Sequence, residues 1–193
     1  MIILHVSWEY PPFRIIGELA WKVQEIVRNL RVFCRPVVVH PGPENKQYKD
    51  DDIEVIMFRD TGYLRGNFIV YSHELVYGAL TKLPYFLSYR DFPLIHGHDW
   101  IAGMIALALS RAFKKPFILS IYSTEQMRSN MDNMLSLSIE SVETYLFRKA
   151  DLILCHHEKL FDDLRERFGK KVIKYSSIRD VYNAYLRVAG GRS

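Results

Sequence analysis

Met1-Ile2-Ile3-Leu4-His5-Val6-Ser7-Trp8-Glu9-Tyr10-Pro11-Pro12-Phe13-Arg14-Ile15-Ile16-Gly17-Glu18-Leu19 opens the chain and decides how the rest is read. Ile2 to Val6 is apolar, branched and short, which predicts a buried strand. Pro11 and Pro12 exclude a helix from Ser7 to Ile16 and push Tyr10 toward an extended backbone. From Glu18 onward Leu19, Val23, Ile26, Val27 and Leu30 recur at helical spacing. Strand, loop and helix in this order predict the first unit of an open parallel sheet. Such sheets take their ligands at the loops that follow the strand ends.

The later sequence repeats the unit. Strands are predicted at Pro36 to His40, Ile53 to Phe58, Pro93 to Gly97, Pro116 to Ile121, Leu152 to Cys155 and Val172 to Tyr175. Helices are predicted at Phe68 to Tyr89 with a kink or break at Pro84, at 101–113, at Met131 to Lys149 and at Glu158 to Phe168, the last closed by Gly169. Pro41 to Asp52 reads as a polar loop, with Asp50-Asp51-Asp52 as solvated charge rather than a metal cluster, because no second ligand group is near in sequence. Gly62 and Gly66 mark a turn. The aromatic residues Phe68, Tyr71, Tyr77, Tyr85, Phe86 and Tyr89 read as helix packing, with a sugar-stacking platform as the other reading. Ile178, Val181, Tyr182, Tyr185 and Leu186 form a helical stripe capped at Ser176 or Ser177.

At 193 residues the chain is one domain's worth of sequence. Its 49% hydrophobic and 25% charged residues are ordinary for a globular protein. The net charge of +4 is spread out, with no dense Lys/Arg run, so nucleic acid is not an expected partner. Cys34 and Cys155 have no metal or C-x-x-C spacing and read as buried thiols of a reducing compartment. Residues 1 to 6 lead directly into the motif and do not read as a signal peptide. No apolar run approaches the ~18 residues of a membrane span. The expected location is the cytoplasm, with no membrane partner, no cofactor and no metal.

The run Ser7-Trp8-Glu9-Tyr10-Pro11-Pro12, followed by a glycine turn and Leu19, resembles the opening of GT-B glycosyltransferases, above all glycogen and starch synthases. In that family the loop carries a basic residue and a Gly-Gly-Leu turn that approaches the donor's diphosphate. The resemblance places Arg14 as the basic residue and Gly17 as the first glycine, with Glu18 where the second should be. His96-Gly97-His98-Asp99-Trp100 is similar to the family's His-Asp-Trp signature near the acceptor sugar; the plain structural reading is Asp99 as a helix cap and Trp100 as core. Tyr122-Ser123-Thr124-Glu125 sits where relatives carry a sugar-contacting histidine, with Tyr122 in the histidine's place. Glu140, Glu143 and Arg148-Lys149-Ala150-Asp151 match a further family run.

The resemblance implies an α/β fold with a doubly wound, mainly parallel sheet of roughly six or seven strands, a single Rossmann-like domain like the N-terminal half of a GT-B enzyme. Residues 1–193 would form that domain, with 176–193 a C-terminal helix packing back on it. Complete relatives continue into a second domain that holds most donor contacts, and this sequence has no counterpart of it. The implied activity is hexosyl transfer of the glycogen or starch synthase type, silent in this chain alone. A carboxylate at Glu18 beside a diphosphate would repel it by roughly 4 kcal/mol at ~4 Å and an effective dielectric of ~20. No catalytic residue is assigned. The expected acceptor or sugar contacts are His98, Asp99, Trp100, Tyr122 and Glu125; Arg14, Gly17 and Glu18 form a degenerate donor-phosphate loop. The expected partners are an α-glucan or maltooligosaccharide and a separate donor-domain chain or a second copy. The other function is a glucan-binding or protein-interaction module without catalysis. Trp8, Tyr10, Phe13 and Trp100 are expected to form an apolar patch at the strand-end edge.

Overall fold

The computed structural model describes residues 1–60 and 67–190; the turn read at Gly62 and Gly66 lies outside them. Eight strands form one sheet. In chain order they are β1 (Ile2–Val6), β2 (Arg35–Gly42), β3 (Lys46–Asp50), β4 (Ile53–Arg59), β5 (Ile95–His98), β6 (Phe117–Ser120), β7 (Leu152–Cys155) and β8 (Val172–Lys174). The helices are α1 (Glu18–Leu30), α2 (Phe68–Leu87), α3 (Asp99–Phe113), the short α4 (Glu125–Arg128), α5 (Met134–Lys149), α6 (Glu158–Phe168) and α7 (Ile178–Gly190).

The strand order is β3-β4-β2-β1-β5-β6-β7-β8, and only β3 runs antiparallel. The chain winds outward from β1 on one side, then returns to start β5 on the other. The switch point of the sheet therefore lies between β1 and β5, the place where such sheets open a crevice at the strand ends. The sheet has one strand more than the sequence predicts. Lys46–Asp50 reads as loop because four of its five residues are polar, yet its backbone pairs residue for residue with β4, Tyr48 opposite Val55. An edge strand carrying Lys46 and Lys49 is also protected against pairing with a foreign strand.

Alternation along the strands sorts the core into two layers. Leu4, Val6, Val37, Val39, Ile95, Phe117, Leu119 and Ile153 face α2, α3 and α5. Ile3, Ile118, Leu152 and Leu154 face the other way and pack with Leu30, Val181 and Tyr185. In the central strands β1, β5, β6 and β7 nearly every residue is buried, as a parallel sheet covered by helices on both faces requires. Helix α2 continues through Pro84 to Leu87, where the sequence predicts a kink or break. Helix α7 rests on α1 and β7, with Tyr185 wholly buried and Tyr182 stacked on Phe33.

One close approach sets the site. A β-carbon added at Gly97 would lie 2.9 Å from Ala106 Cβ, 3.1 Å from Gly103 Cα and 3.3 Å from the Ala102 carbonyl. Glycine therefore lets α3 lie directly on β5 and brings His98 and Asp99 to the switch point. Gly97→Ala is expected to lower stability by about 1–3 kcal/mol, because two of the three obstructing atoms are backbone; urea denaturation reads it, and Gly169→Ser, with open space around it but φ of +69°, serves as a strain-only comparison.

Candidate functional site

The loop after β1 is folded by its own side chains. The Ser7 hydroxyl donates to the Glu9 carbonyl at 2.5 Å. One carboxylate oxygen of Glu9, itself buried, accepts the backbone N–H groups of Ile16 at 2.6 Å and Gly17 at 2.8 Å. These two amides lie just before the first turn of α1, which begins at Glu18 with Gly17 as its N-cap. Arg14 is ion-paired to Asp60 at 2.7 Å, donates to the Tyr71 hydroxyl, and lies 5.3 Å over the Trp8 ring. The Tyr10 hydroxyl donates to Asp50 at 2.8 Å, which also accepts from Gln24 at 2.9 Å and Arg28 at 2.6 Å. Asp50 thereby ties the motif loop to α1 and β3.

On the other side of the switch point the strand ends carry polar aromatic rings. His98 Nδ1 is 2.9 Å from the Tyr122 hydroxyl, just past β6. Tyr122 faces His156, just past β7, at 6.1 Å, and His156 faces Tyr175, just past β8, at 5.8 Å. This row forms one wall of an open groove of about 560 Å³; Lys22, Glu25, Ile26 and Asn29 of α1 form the other, and Ser176 and Ser177 close one end. Aromatic faces converge here with hydrogen-bonding groups, charged at Lys22 and Glu25 and uncharged at Asn29, Ser176 and Ser177, a surface chemistry that suits a polyol.

Beside the end of β5 lies an ionic cluster in which Glu125 and Glu143 are buried, Asp99 is half-buried and Arg128 reaches solvent. Asp99 adopts φ of +69° at the start of α3 and accepts the Trp100 N–H at 2.8 Å. The left-handed backbone is tolerated by aspartate, whose side chain bonds locally, and burial pushes its carboxyl above the usual range while Arg128 acts against that shift. Arg128 bridges Glu143 at 2.6 Å and Glu125 at 3.2 Å. Glu143 also accepts the Glu125 N–H at 2.8 Å. Desolvation pushes the Glu143 carboxyl up to about 7 in spite of these partners.

The profile of the family described as Glycosyltransferase Family 4 matches residues 20–184. The chain belongs to this family. Glycosyltransferase family 4 membership agrees with curated relatives. The chain is 28% identical over 204 aligned residues to the glycogen synthase of Mycobacterium tuberculosis, covering 95% of this chain and 49% of that protein. It is 29% identical over 126 residues to an uncharacterized glycosyltransferase of Methanocaldococcus jannaschii, covering 65% of this chain and 32% of that one. The chain thus spans about half the length of the glycogen synthase it matches. Sucrose-phosphate synthase from Thermosynechococcus elongatus superposes with a TM-score of 0.71 at 13% identity, over 91% of this chain and 48% of that one. The catalytic domain of starch synthase IV from Arabidopsis thaliana, bound to ADP and acarbose, gives 0.61 at 12%, over 89% and 50%. The fold is that of a GT-B N-terminal domain.

Within this family 4 domain the residues singled out in the sequence are placed unequally. His98 is fully buried, Trp100 is 5% exposed against Phe68, and Glu125 is 8% exposed and held by Arg128. Tyr122 and Asp99 are half-buried, and Tyr122 alone of the five lines the groove. The expected patch of Trp8, Tyr10, Phe13 and Trp100 does not form: Tyr10 and Trp100 are core, Trp8 is half-buried against Phe68, and Phe13 is exposed beside Tyr48. Glu18 does not occupy the loop. Its side chain is 90% exposed and lies 3.6 Å from Lys22. The carboxylate on the loop amides belongs to Glu9, which the sequence reading passed over. His156 and Tyr175 were also missed; each follows a strand, and the strand-end rule applied to β7 and β8 would have found them. Helix α2 leaves Tyr77, Tyr85 and Tyr89 exposed, so the packing reading of that aromatic set holds for Tyr71 and not for these.

Glu9→Ala in this family 4 domain would leave two amides without their acceptor and is expected to cost about 2 kcal/mol, while Glu9→Gln, which keeps an acceptor oxygen, costs clearly less. Chemical denaturation of the two variants side by side checks the order.

Proposed function

We propose that this chain is the acceptor side of a hexosyltransferase of the glycogen and starch synthase kind, and that it holds a neutral α-glucan in the groove between α1 and the ends of β6, β7 and β8. The observation that carries the reading is the row Tyr122, His156 and Tyr175 facing the groove. It offers ring faces for sugar stacking, and Asn29, Ser176 and Ser177 offer uncharged hydrogen bonds. Similarity to a glycogen synthase over 95% of the chain supports the same substrate class.

The loop after β1 is the weaker half of the site for a nucleotide sugar. Its two amides are taken by Glu9, and Arg14 is neutralised by Asp60. A diphosphate would have to displace both contacts. We infer that donor binding depends on a second body of protein, whether another stretch of polypeptide or a separate chain, and that residues 1–193 by themselves transfer no sugar. Transfer requires donor and acceptor held together, and orientation supplies much of the rate gain. The reading without catalysis, a glucan-binding module, uses the same groove and differs only in the outcome with a donor body.

Calorimetric titration of residues 1–193 with maltotetraose, ADP-glucose and UDP-glucose tests the proposal. Maltotetraose is expected to bind with a dissociation constant on the order of millimolar, since the groove is open to solvent; the nucleotide sugars should bind more weakly still. Micromolar binding of a nucleotide sugar, or incorporation of glucose into glycogen by these residues alone, would overturn it.

A further inference from the structure

We propose that His5, His96 and His98 form a buried binding site for one divalent transition-metal ion of the zinc class. The sequence reading expected no metal. The sheet supplies the spacing. His5 on β1 and His96 on β5 are register partners, and His98 lies two residues further along β5 on the same face. The three sit at the switch point, beneath Tyr185 of α7. One ring nitrogen from each lies within 4.8 Å of the other two.

The chemistry of the cluster fits a borderline ion. All three rings are wholly buried. Burial away from water disfavours a charged imidazolium, so the cluster offers neutral rings, the form that ligates. The ligand set holds no carboxylate, which disfavours magnesium and calcium and favours zinc, cobalt, nickel or copper.

One further contact points to an occupant. His5 Nδ1 and His98 Nε2 face each other at 3.0 Å, a contact in which two ring nitrogens compete for a single proton and an ion could take its place. The outer atoms are already held as they are around bound metals. His98 Nδ1 meets the Tyr122 hydroxyl at 2.9 Å; His96 meets the Tyr185 hydroxyl and the Ser120 hydroxyl, each at 2.7 Å. His96 would give up one of these to the ion and keep the other. Tetrahedral coordination with nitrogens at ~2.05 Å sets them ~3.3 Å apart, so the His5–His98 pair at 3.0 Å opens slightly while the third nitrogen, within 4.8 Å of both, closes inward. The Ser120 hydroxyl is the oxygen nearest to hand for a fourth position. The site stands apart from the groove reading; His98 and Tyr122 join the two, but neither proposal requires the other.

The test uses the 193-residue chain freed of metal by a chelator and equilibrated long enough for a buried site to open. Cobalt(II) should produce the visible absorption of a tetrahedral centre at one ion per chain, and excess zinc should displace it. Zinc at 100 times its dissociation constant should raise the Tm by several degrees. His5→Gln and His98→Gln should each weaken zinc binding by more than about 100-fold, beyond the 10- to 100-fold typical of outer-shell changes. Tyr185→Phe should weaken it less. The exposed His73→Gln and His157→Gln serve as controls and should leave it unchanged. The wild-type chain alone keeps the proposal falsifiable if a variant fails to fold. Absence of both the cobalt spectrum and the zinc-dependent rise in Tm would overturn it. So would binding that survives loss of His5 and His98 and disappears with the exposed histidines.

Discussion

Asp50→Ala is expected to lower stability by about 3 kcal/mol, whereas Asp52→Ala should change it by less than about 0.5 kcal/mol. The aspartates are adjacent in sequence and differ in surroundings. The Asp50 side chain is 12% exposed and accepts from Tyr10, Gln24 and Arg28. Its carboxyl is held below the usual range because those three hydrogen bonds together outweigh burial, the largest single influence, which acts the other way. Removing it leaves the hydroxyl of the buried Tyr10 unpaired and releases Arg28 from its closest carboxylate. Asp52 is 95% exposed, and its nearest cation, Arg31, is 3.9 Å away. Asp50→Asn should fall between the two, since an amide keeps an acceptor but no charge. Urea denaturation of the three variants at neutral pH decides; equal effects at positions 50 and 52 would show that the loop after β1 is not tied through β3.

Glu143 is expected to make stability fall as pH rises from about 4.5 to 7. Its side chain is 1% exposed, and burial raises its carboxyl from 4.5 to about 7. The folded chain therefore keeps a proton that the unfolded chain releases in that window, and unfolding becomes easier as pH climbs. The full effect is about 3 kcal/mol and is complete above pH 7. Below pH 4.5 both states are protonated and the contribution is steady. Glu143→Gln keeps an acceptor for the Glu125 N–H and removes the titration. The difference between wild type and this variant, measured by denaturation from pH 4 to pH 8 in the presence of chelator, should carry the slope. A flat difference would mean that Arg128 keeps Glu143 ionised throughout.

Much of the architecture was legible because the strands are short, branched and bounded by turns, and because strand-loop-helix repeats allow few topologies. The opening motif marked the switch-point loop correctly. What escaped had physical reasons. Strand β3 is polar because it is an edge strand with one face in water, so alternation is hidden. The family resemblance makes Trp100 a sugar contact, but its plain reading as core holds: Gly97 lets α3 lie close on the sheet, and the indole is 5% exposed. Glu18 attracted attention as a charge out of place; the helix turns it to solvent, and Glu9, nine residues earlier, folds back onto Gly17 instead. The histidine cluster joins residues 5, 96 and 98, and no spacing along the chain foretells it without the order of the strands.

The groove is the part of the account with the most direct test. Backbone amide shifts of the isotope-labelled chain, followed by NMR while maltotetraose is added to roughly 10 mM, locate the sugar without relying on activity. The account predicts graded shifts confined to Asn29, Tyr122, His156 and Tyr175 to Ser177, and their loss in Tyr175→Ala. Shifts centred on α2 or on the α3–α5 face, or no shift at all over that range, would contradict it.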